Sequence, residues 1–574
     1  MEKNKFIKNK KNEEIKINEK KNNTKNNNFK LIIIFSILIA IICISLTPVT
    51  LQNDTFYTIK IGEHIAQKGI DMQDPFSWHE NLPYTYPHWL YDYLVYITYS
   101  LFGSIGIYIS TCILTIILGI SIYTVSSKLI KNNIIPFFIT IAAMYILKDQ
   151  IAARAQLVTF ILFIWTIFFI EKFIKTRKIP YAIALIIIPI IIANIHTAVF
   201  PFYFILYMPY IAEYLISIIG DYIIYKKVSK QILIFKIKYL EKTKPEEKEK
   251  IESLKNKLIE LEELVDRIKI KRTKNLKNPY KLKIENNKNV KWLIVICIIT
   301  ILTGFLTPLA TIPYTYLIDT MQGNTTSNIN EHLPITLSES VEALTLIIIF
   351  LSIITFTKTK IKLSDLFMFG GLAYLMLASR RQLSMLALIG AVIISRLIIE
   401  FIMEYDKKYL EKMKKQFSSK LTILCCVVFS VVLSIYFAKD KFDDKIINEN
   451  NYPVEASEYI LKNLNIDEIK LYNDYNYGSY LLFRDIPVFI DSRADLYAPE
   501  FSGKEEDIFM DYIETSNISK YYEDTFEKYG ITHVILFENS KVNMIIKETE
   551  KRAEKQKYYE LYNDEKFVIY QIIE

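Results

Sequence analysis

Long apolar runs alternate with short polar segments along the first 440 residues of the chain. The runs are rich in isoleucine, and each is about 15 to 22 residues long, the length that a helix needs to cross about 30 Å of hydrocarbon. They begin with FKLIIIFSILIAIICISL at residues 29–46 and recur up to the segment that ends near residue 438. This pattern predicts a polytopic α-helical membrane protein.

One pair of adjacent runs decides how many spans we predict. HWLYDYLVYITYSLFG (88–103) leads directly into SIGIYISTCILTIILGISIYTV (104–125). The first run carries Tyr, His and Asp, as expected of an amphipathic helix that lies along the membrane surface. Counting only the second run as a span gives eleven spans in all and places every basic loop on the same side. We therefore predict about eleven spans plus one interfacial helix.

The basic loops also predict the orientation. Lysine and arginine concentrate in the N-terminal tail and in residues 126–133, 171–180, 225–291, 358–362 and 404–415. Because cytoplasmic loops of membrane proteins are enriched in these residues, we expect a multi-pass protein of the cell membrane with a cytoplasmic N-terminus. The C-terminal domain is then extracytoplasmic, and all six histidines fall on the outer side.

Changes in composition divide the chain into five predicted parts. The insert 225–291 places Ile251, Leu254, Leu258, Leu261, Val265 and Ile268 at the three-four spacing of a coiled coil, so it is either a solvated protrusion or a site for a protein partner. The parts are a disordered basic tail (1–29), a transmembrane module (30–224) with its first outer loop at 51–103, a cytoplasmic coiled-coil or helical-hairpin insert (225–291), the remaining transmembrane helices (292–439) and an extracytoplasmic α/β domain (440–574).

The C-terminal domain is acidic, with 29 Asp and Glu against 16 Lys and Arg. Strand-like runs (IKLYN, PVFID, THVILF, FVIYQ) alternate with helix-like ones (VEASEYILKNL, YYEDTFEKYG, KVNMIIKETEKRAEKQ), which predicts a small sheet with helices. Asp474, Asp491, Arg493 and Asp495 fall at the predicted strand ends. They form either a polar site or a set of capping and pairing interactions within the domain.

Composition excludes several other classes of protein. Half of the residues (51%) are hydrophobic and the mean hydropathy is +0.19, as is common in membrane proteins. All five cysteines lie in apolar runs without a CxxC pair, so neither a disulfide framework nor a cysteine zinc site is predicted. The basic residues follow the membrane topology, and nothing indicates nucleic-acid binding.

Candidate chemistry begins in the first outer loop. Asp54 follows the first span directly, where a carboxylate can act as a general base or assist a metal ion. The pair Arg380–Arg381 ends a later span at the same side, and guanidinium groups match the oxygens of a lipid-borne phosphate. A carboxylate together with a phosphate clamp at the outer leaflet is the chemistry of glycosyl transfer from a polyprenyl-phosphate sugar.

The order of motifs resembles the GT-C superfamily of integral membrane glycosyltransferases, and most closely a little-characterised bacterial subgroup. The resemblance covers most of residues 50–500 and implies that Asp54 is the catalytic carboxylate, with Asp149 and Glu331 as further acidic candidates. It departs from better-known members in lacking a WWDYG-like motif and an adjacent Asp-Glu pair in the first loop. The residues expected to bind substrate are Glu63, His64, Asp74, His88, Trp89, Arg154, Gln156, Asn194, His196, Arg380 and Arg381. The motifs that carry the resemblance are DPFS, HWL, ARAQ, NIH, TP, EHLP, SRR, NDYNYGSYL and FIDSRADLY.

Two other functions stay open at this stage. One is a transporter or flippase for a lipid-linked glycan, and the other is a non-catalytic scaffold of envelope-glycan assembly. The expected partners of a transferase are a lipid-linked sugar donor, a glycan, lipid or protein acceptor, and membrane lipids. A divalent cation (Mg²⁺ or Mn²⁺) is a possible cofactor, although no HxxxH or HExxH spacing supports a protein-held metal.

Overall fold

The fold is that of a computed structural model, which describes residues 29–219, 222–274, 281–338 and 340–573. The predicted N-terminal tail lies outside these residues, apart from Phe29. Helices make up most of the chain. Up to residue 440 the α-helices are α1 (Phe29–Leu46), α2 (Asn53–Lys68), α3 (Trp89–Ile130), α4 (Ile134–Ile146), α5 (Ala155–Thr176), α6 (Ile179–Ile195), α7 (Phe200–Ile205), α8 (Met208–Ile219), α9 (Tyr222–Thr243), α10 (Lys248–Lys274), α11 (Val290–Ile301), α12 (Ile312–Gln322), α13 (Thr325–Asn328), α14 (Val341–Phe356), α15 (Leu363–Ala378), α16 (Leu383–Tyr405), α17 (Tyr409–Phe417) and α18 (Lys420–Ala438).

Within the described residues, six helical segments are long and apolar enough to cross a membrane, and five shorter apolar helices accompany them. This confirms the predicted helical membrane character, whereas the number of spans stays a prediction. The six segments are Phe29–Leu46, Trp89–Ile130, Ala155–Thr176, Thr197–Ile218, Arg380–Tyr405 and Lys420–Ala438.

The helix α3 is broken where the two adjacent apolar runs meet. Gly103 adopts φ 60° and ψ −158°, which no helical residue has, and which glycine reaches at little cost because it has no Cβ. The break therefore separates the run 88–103 from the run 104–125 as the sequence indicated. The surface position of the first segment stays a prediction.

The bundle has two chemically different ends. The helix α5 spans roughly 33 Å from Arg154, just before its first residue, to Arg177, just after its last. Near its far end, Asn289 donates to the Ile174 carbonyl and Lys283 pairs with Glu400, so the basic segments gather there. The first loop, Arg154 and the C-terminal domain share the opposite end. We call the end near Arg177, Lys283 and Asn289 the basic end, and the end with the first loop and Arg154 the loop end.

The insert forms a helical hairpin of α9 and α10. Lys230 pairs with Glu262, and Lys255 pairs with Glu241, which joins the two helices at separate levels. Of the predicted coiled-coil positions, Ile251 and Val265 are buried and Leu254, Leu258 and Leu261 are partly buried, whereas the side chain of Ile268 lies outside the described ones.

The C-terminal half contains a four-stranded sheet with the order β3-β4-β6-β5, in which only β3 and β4 are parallel. A separate pair, β1 (Leu282–Lys283) and β2 (Ile361–Lys362), lies at the basic end. The other elements are α19 (Val454–Asn463), β3 (Leu471–Tyr472), α20 (Tyr475–Phe483), α21 (Pro499–Ser502), α22 (Ile508–Asn517), α23 (Tyr522–Tyr529), β4 (His533–Phe537), α24 (Lys541–Glu550), β5 (Tyr558–Asn563) and β6 (Phe567–Ile572).

One predicted strand of this domain is wrong and another was missed. PVFID contributes no strand to the sheet, and its Val488 instead forms a single parallel bridge with Ser77 of the first loop. The run resembled a strand because Val488, Phe489 and Ile490 are fully buried, but part of what buries them is the first loop. The strand β5 carries mostly partly or fully exposed residues at the sheet edge, so its sequence YYELYN lacks a strong apolar pattern.

The first loop and the C-terminal domain share one hydrophobic core. Phe56 of α2 packs edge-on against Tyr452 and Tyr480, and the Trp78 indole donates to the Leu471 carbonyl. Gly62 lets α2 approach α3 closely, because a Cβ there would lie 2.1 Å from the carbonyl oxygen of Asp92. These contacts hold Asp54, in the first turn of α2, against the loop end of the bundle.

Candidate functional site

Three charged residues from distant parts of the chain meet at the loop end. One Nη of Arg154 lies 2.9 Å from Oδ2 of Asp54, and the other lies 3.4 Å from Oε1 of Glu331. Asp54 is in the first turn of α2, Arg154 precedes α5, and Glu331 follows α13. All three side chains are partly exposed, so the cluster is accessible from outside the protein.

Arg154 and Glu331 stabilise each other in their charged forms. Burial alone would lower the pKa of Arg154, but Asp54 and Glu331 outweigh it and raise that pKa. Burial alone would raise the pKa of Glu331, but Arg154 and Arg381 outweigh it and lower that pKa. The guanidinium and Glu331 are therefore both kept in their charged forms near neutral pH.

The arginine pair is tied to the segment that carries Glu331. The backbone N–H of Arg381 donates to the Glu331 carbonyl (3.0 Å), and that of Arg380 donates to the Leu333 carbonyl (2.9 Å). The side chain of Arg380 donates to the Pro334 carbonyl. The Arg381 guanidinium has no hydrogen-bond or ion-pair partner among the described residues, and its charge lowers the pKa of Glu331. Arg381 is thus a cation at the cluster with free donors.

Two predicted histidines lie together beside the cluster. The rings of His88 and His196 are 4.8 Å apart, and Nδ1 of His196 is 2.9 Å from the Thr159 hydroxyl. Burial, then the charges of Arg381 and Arg154, lowers the pKa of His88 to about 3. Burial, then His88 and Arg381, lowers the pKa of His196 as well. Both rings are neutral at neutral pH.

The remaining predicted residues of the bundle form no hydrogen bond or ion pair with Asp54, Arg154 or Glu331 in the described part of the chain. Gln156 donates to Gln150, and Asn194 donates to the carbonyls of Ile190 and Leu306. The buried indole nitrogen of Trp89 has no hydrogen-bond partner in the described part of the chain. Asp149 is exposed and makes no hydrogen bond or ion pair within the ranges that the structure describes. Their roles in catalysis or substrate binding stay predictions.

Three predicted residues of the first loop have protein partners that account for their positions. Glu63 pairs with Lys60, and Nε2 of His64 lies 2.8 Å from Asp71. Asp74 is fully buried and pairs with Arg493 at 2.7 Å. These contacts shape the loop and its packing on the C-terminal domain. A further role on the acceptor side stays a prediction.

The polar residues of the C-terminal motifs act mainly by capping and pairing, one of the two alternatives that the sequence left open. Asp474 caps α20 by accepting from the backbone N–H of Asn476, and Asp491 accepts from Arg493 and from the Tyr497 hydroxyl. Arg493 and Asp495 also contact residues outside the C-terminal domain. Asp495 accepts from the hydroxyls of Tyr316, Thr320 and Thr325, which sequence reasoning missed.

A second ion cluster at the basic end was also missed. Arg396 of α16 pairs with both Asp365 of α15 and Glu171 of α5, and all three side chains are largely buried. The sequence assigned Glu171 to the cytoplasmic loop 171–180, whereas α5 continues to Thr176. Each of the three lies at or near the end of an apolar run, where a charged residue is typical of a loop boundary.

The divalent cation considered as a cofactor stays a prediction. Arg154 lies between the two carboxylates of the ion cluster at the loop end, and among the described residues no group of three or more His, Cys, Asp and Glu side chains is arranged to hold a metal ion.

Comparison of the chain with protein-family models and with curated proteins finds no match. The resemblance to the GT-C superfamily thus depends on the motifs alone.

Proposed function

We propose that this protein is a membrane glycosyltransferase that moves a sugar from a polyprenyl-phosphate donor to an acceptor at the outer face of the membrane. The observation that carries the proposal is the contact of Arg154 with both Asp54 and Glu331 at the loop end. A partly exposed carboxylate, a second acid and an arginine without a side-chain partner among the described residues are the groups that such a transfer requires.

Asp54 is the proposed general base. Its Oδ2 forms an ion pair with Arg154 at 2.9 Å, and no described protein group bonds to its Oδ1. This second oxygen is available to accept the proton of an acceptor hydroxyl. The acceptor oxygen then forms a bond to the anomeric carbon of the sugar while the bond from that carbon to the phosphate oxygen breaks. Because this is one displacement, it inverts the anomeric configuration.

Arg381 is the proposed partner of the leaving group. Polyprenyl phosphate departs with both electrons of the broken bond, so its negative charge increases in the transition state. A guanidinium with free donors stabilises that charge more strongly than it stabilises the donor, which is the requirement for catalysis. The backbone bond from Arg381 to the Glu331 carbonyl keeps this cation beside the cluster.

The proposal includes the orientation of the protein in the cell membrane, with the N-terminus cytoplasmic and the C-terminal domain outside. A donor that is carried in lipid can then reach the loop end from the outer leaflet. The hairpin α9–α10 lies at the far side of the bundle in this orientation and is a candidate site for a protein partner.

The test compares surface glycans by mass spectrometry in strains that express wild-type protein, Asp54→Asn or Glu80→Gln at equal levels. Glu80 is a matched control because it is an exposed acid of the same loop and makes no contact with Arg154. We expect Asp54→Asn alone to remove one sugar from a specific glycan and to cause the lipid-linked donor to accumulate.

An unchanged glycan profile with folded Asp54→Asn protein in the membrane would contradict the proposal. The scaffold alternative predicts that outcome together with loss of function when residues 225–291 are deleted. The flippase alternative predicts that purified protein in lipid vesicles moves the donor across the bilayer without releasing polyprenyl phosphate.

A further inference from the structure

The C-terminal domain contacts each segment that carries an acid of the site. The first contact is beside Asp54, where the side-chain amide of Asn53 donates to the Tyr475 carbonyl at 2.9 Å. Tyr475 is the first residue of α20, whose capping residue is Asp474. The motif NDYNYGSYL therefore touches the start of the helix that presents the proposed base.

The second contact is made by Arg493 in the segment 491–495. Its guanidinium is shared between Asp491 of its own domain and Asp74 of the first loop, both fully buried. Asp74 also accepts from the backbone N–H of Ser77, so the ion pair fixes the turn that follows α2. A buried charge pair with this hydrogen bonding holds one geometry, because any shift leaves a charge without a partner.

The third contact is made by Asp495 on the segment that leads to Glu331. Its Oδ1 accepts from Thr325, and its Oδ2 accepts from Tyr316 and Thr320. These hydroxyls belong to α12 and α13, and α13 ends three residues before Glu331. Asn324 adds a hydrogen bond to Asp507 of the same domain.

We infer from these contacts that the segment 491–495 is a positioning element that brings Asp54 and Glu331 together on Arg154. Arg493 holds the first loop, and Asp495 holds the α12–α13 segment, although these two parts are more than 200 residues apart in the chain. Neither residue touches Asp54, Arg154 or Glu331, so both act through the segments that they hold. The inference rests on the proposed function only for its catalytic consequence.

Asp495 is the residue to change, because it forms no ion pair in the described part of the chain and its loss leaves no buried charge behind. In Asp495→Ala the three hydroxyls lose their common acceptor, whereas Asp495→Asn keeps one carbonyl oxygen for them. Asp511→Asn is the matched control, since Asp511 accepts from Lys520, Lys528 and Tyr529 within the C-terminal domain and does not contact α12 or α13.

Hydrogen exchange of the full-length protein in lipid nanodiscs tests the positioning directly. We expect Asp495→Ala to raise exchange about tenfold or more in residues 312–334 and at the Arg381 amide, because a lost hydrogen-bond acceptor frees the segment. We expect β4 to keep its protection, Asp495→Asn to be intermediate, and Asp511→Asn to leave residues 312–334 unchanged.

The same variants are then compared by sugar transferred per folded molecule. We expect Asp495→Ala to reduce transfer about tenfold or more, with Asp495→Asn in between. Unchanged exchange in residues 312–334 overturns the inference, and so does raised exchange with transfer intact. If the wild-type chain transfers no sugar, the proposed function fails, while the exchange data still decide whether Asp495 holds the segment.

Discussion

Arg154 contacts Asp54 at 2.9 Å across 100 residues of sequence, and it reaches Glu331 with its other terminal nitrogen. Replacing Arg154 by Gln leaves two carboxylates facing each other without a cation. We expect a loss of transfer of about 10²- to 10³-fold, because removing one partner of a hydrogen-bonded charge cluster costs roughly 2–5 kcal/mol. Glycan analysis or an assay of donor turnover measures this loss.

Two further arginine variants make this prediction specific. Arg154→Lys keeps the charge but cannot contact both acids with a planar fork, so we expect intermediate activity. Arg552→Gln removes an exposed arginine of the C-terminal domain and should have no effect. Wild-type activity in Arg154→Gln would exclude the cluster from catalysis.

Gly478 lies where the motif NDYNYGSYL packs against the motif FIDSRADLY, so a substitution there tests how tightly the two motifs pack. A Cβ there would lie 2.0 Å from the carbonyl oxygen of Ile490 and 2.8 Å from the side-chain nitrogen of Asn473, which itself donates to that carbonyl. We expect Gly478→Ala to lower the free energy of unfolding by about 1–3 kcal/mol or more through this overlap. Thermal unfolding of the purified protein measures the change.

Gly370→Ala is the control for this substitution. Gly370 lies within α15, and no atom outside its own helix would meet a Cβ there. Since alanine favours a helix over glycine by about 1 kcal/mol, this variant should be as stable as wild type or slightly more stable. Equal stability of Gly478→Ala and wild type would show that the motifs can separate without cost.

His79 makes the docking of the first loop sensitive to acid. Burial, followed by the charges of Lys504 and Lys470, lowers its pKa from 6.5 to about 4, although its hydrogen bond to the Phe489 carbonyl opposes this shift. Below pH 6.5 the unfolded chain takes up a proton that the folded chain resists. The contribution of His79 to the free energy of unfolding is therefore fully present above pH 6.5. As the pH falls from 6.5 toward 4, this free energy decreases by about 1.4 kcal/mol per pH unit.

His79→Gln should remove this part of the pH dependence. Unfolding temperatures between pH 7.5 and pH 5 should fall less steeply for the variant than for wild type. Parallel curves for the two proteins would show that His79 titrates with an ordinary pKa and does not make the docking acid-sensitive.

Substitutions in the buried ion cluster at the basic end should lower the stability of the protein without changing the candidate site at the loop end. Arg396→Met leaves Glu171 and Asp365 buried without their shared cation, and we expect it to cost about 3–5 kcal/mol. The triple variant Glu171→Gln, Asp365→Asn, Arg396→Met removes all three charges and should recover most of the lost stability. Unfolding in detergent measures both, and a triple variant as unstable as Arg396→Met would contradict this account.

Much of the fold could be predicted because membrane helices are encoded locally. Apolar runs located the helices, the spacing of Ile251 and Val265 predicted the hairpin, and three of the four strands of the C-terminal sheet were assigned. The error at PVFID has a physical reason: Val488 and Phe489 are apolar because they face the first loop, which pattern analysis along one segment does not reveal.

The site could be predicted only as a collection of residue types. Asp54, Glu331 and Arg154 were each recognised, but their contact depends on how α2, α5 and the segment after α13 pack, and no short-range pattern encodes that. Asp495 was assigned to its own domain because its partners Tyr316, Thr320 and Thr325 are ordinary helix residues with no charge or spacing that marks them.

The ion pair of Asp74 with Arg493 joins residues that are 419 positions apart. This separation determines when, during synthesis, the first loop can dock on the C-terminal domain. During synthesis the first loop is made about 400 residues before its partner. Asp74 must then stay unpaired until the residues around Arg493 have left the ribosome and the C-terminal domain has folded. A prematurely terminated chain can insert its helices and still never assemble this end of the protein.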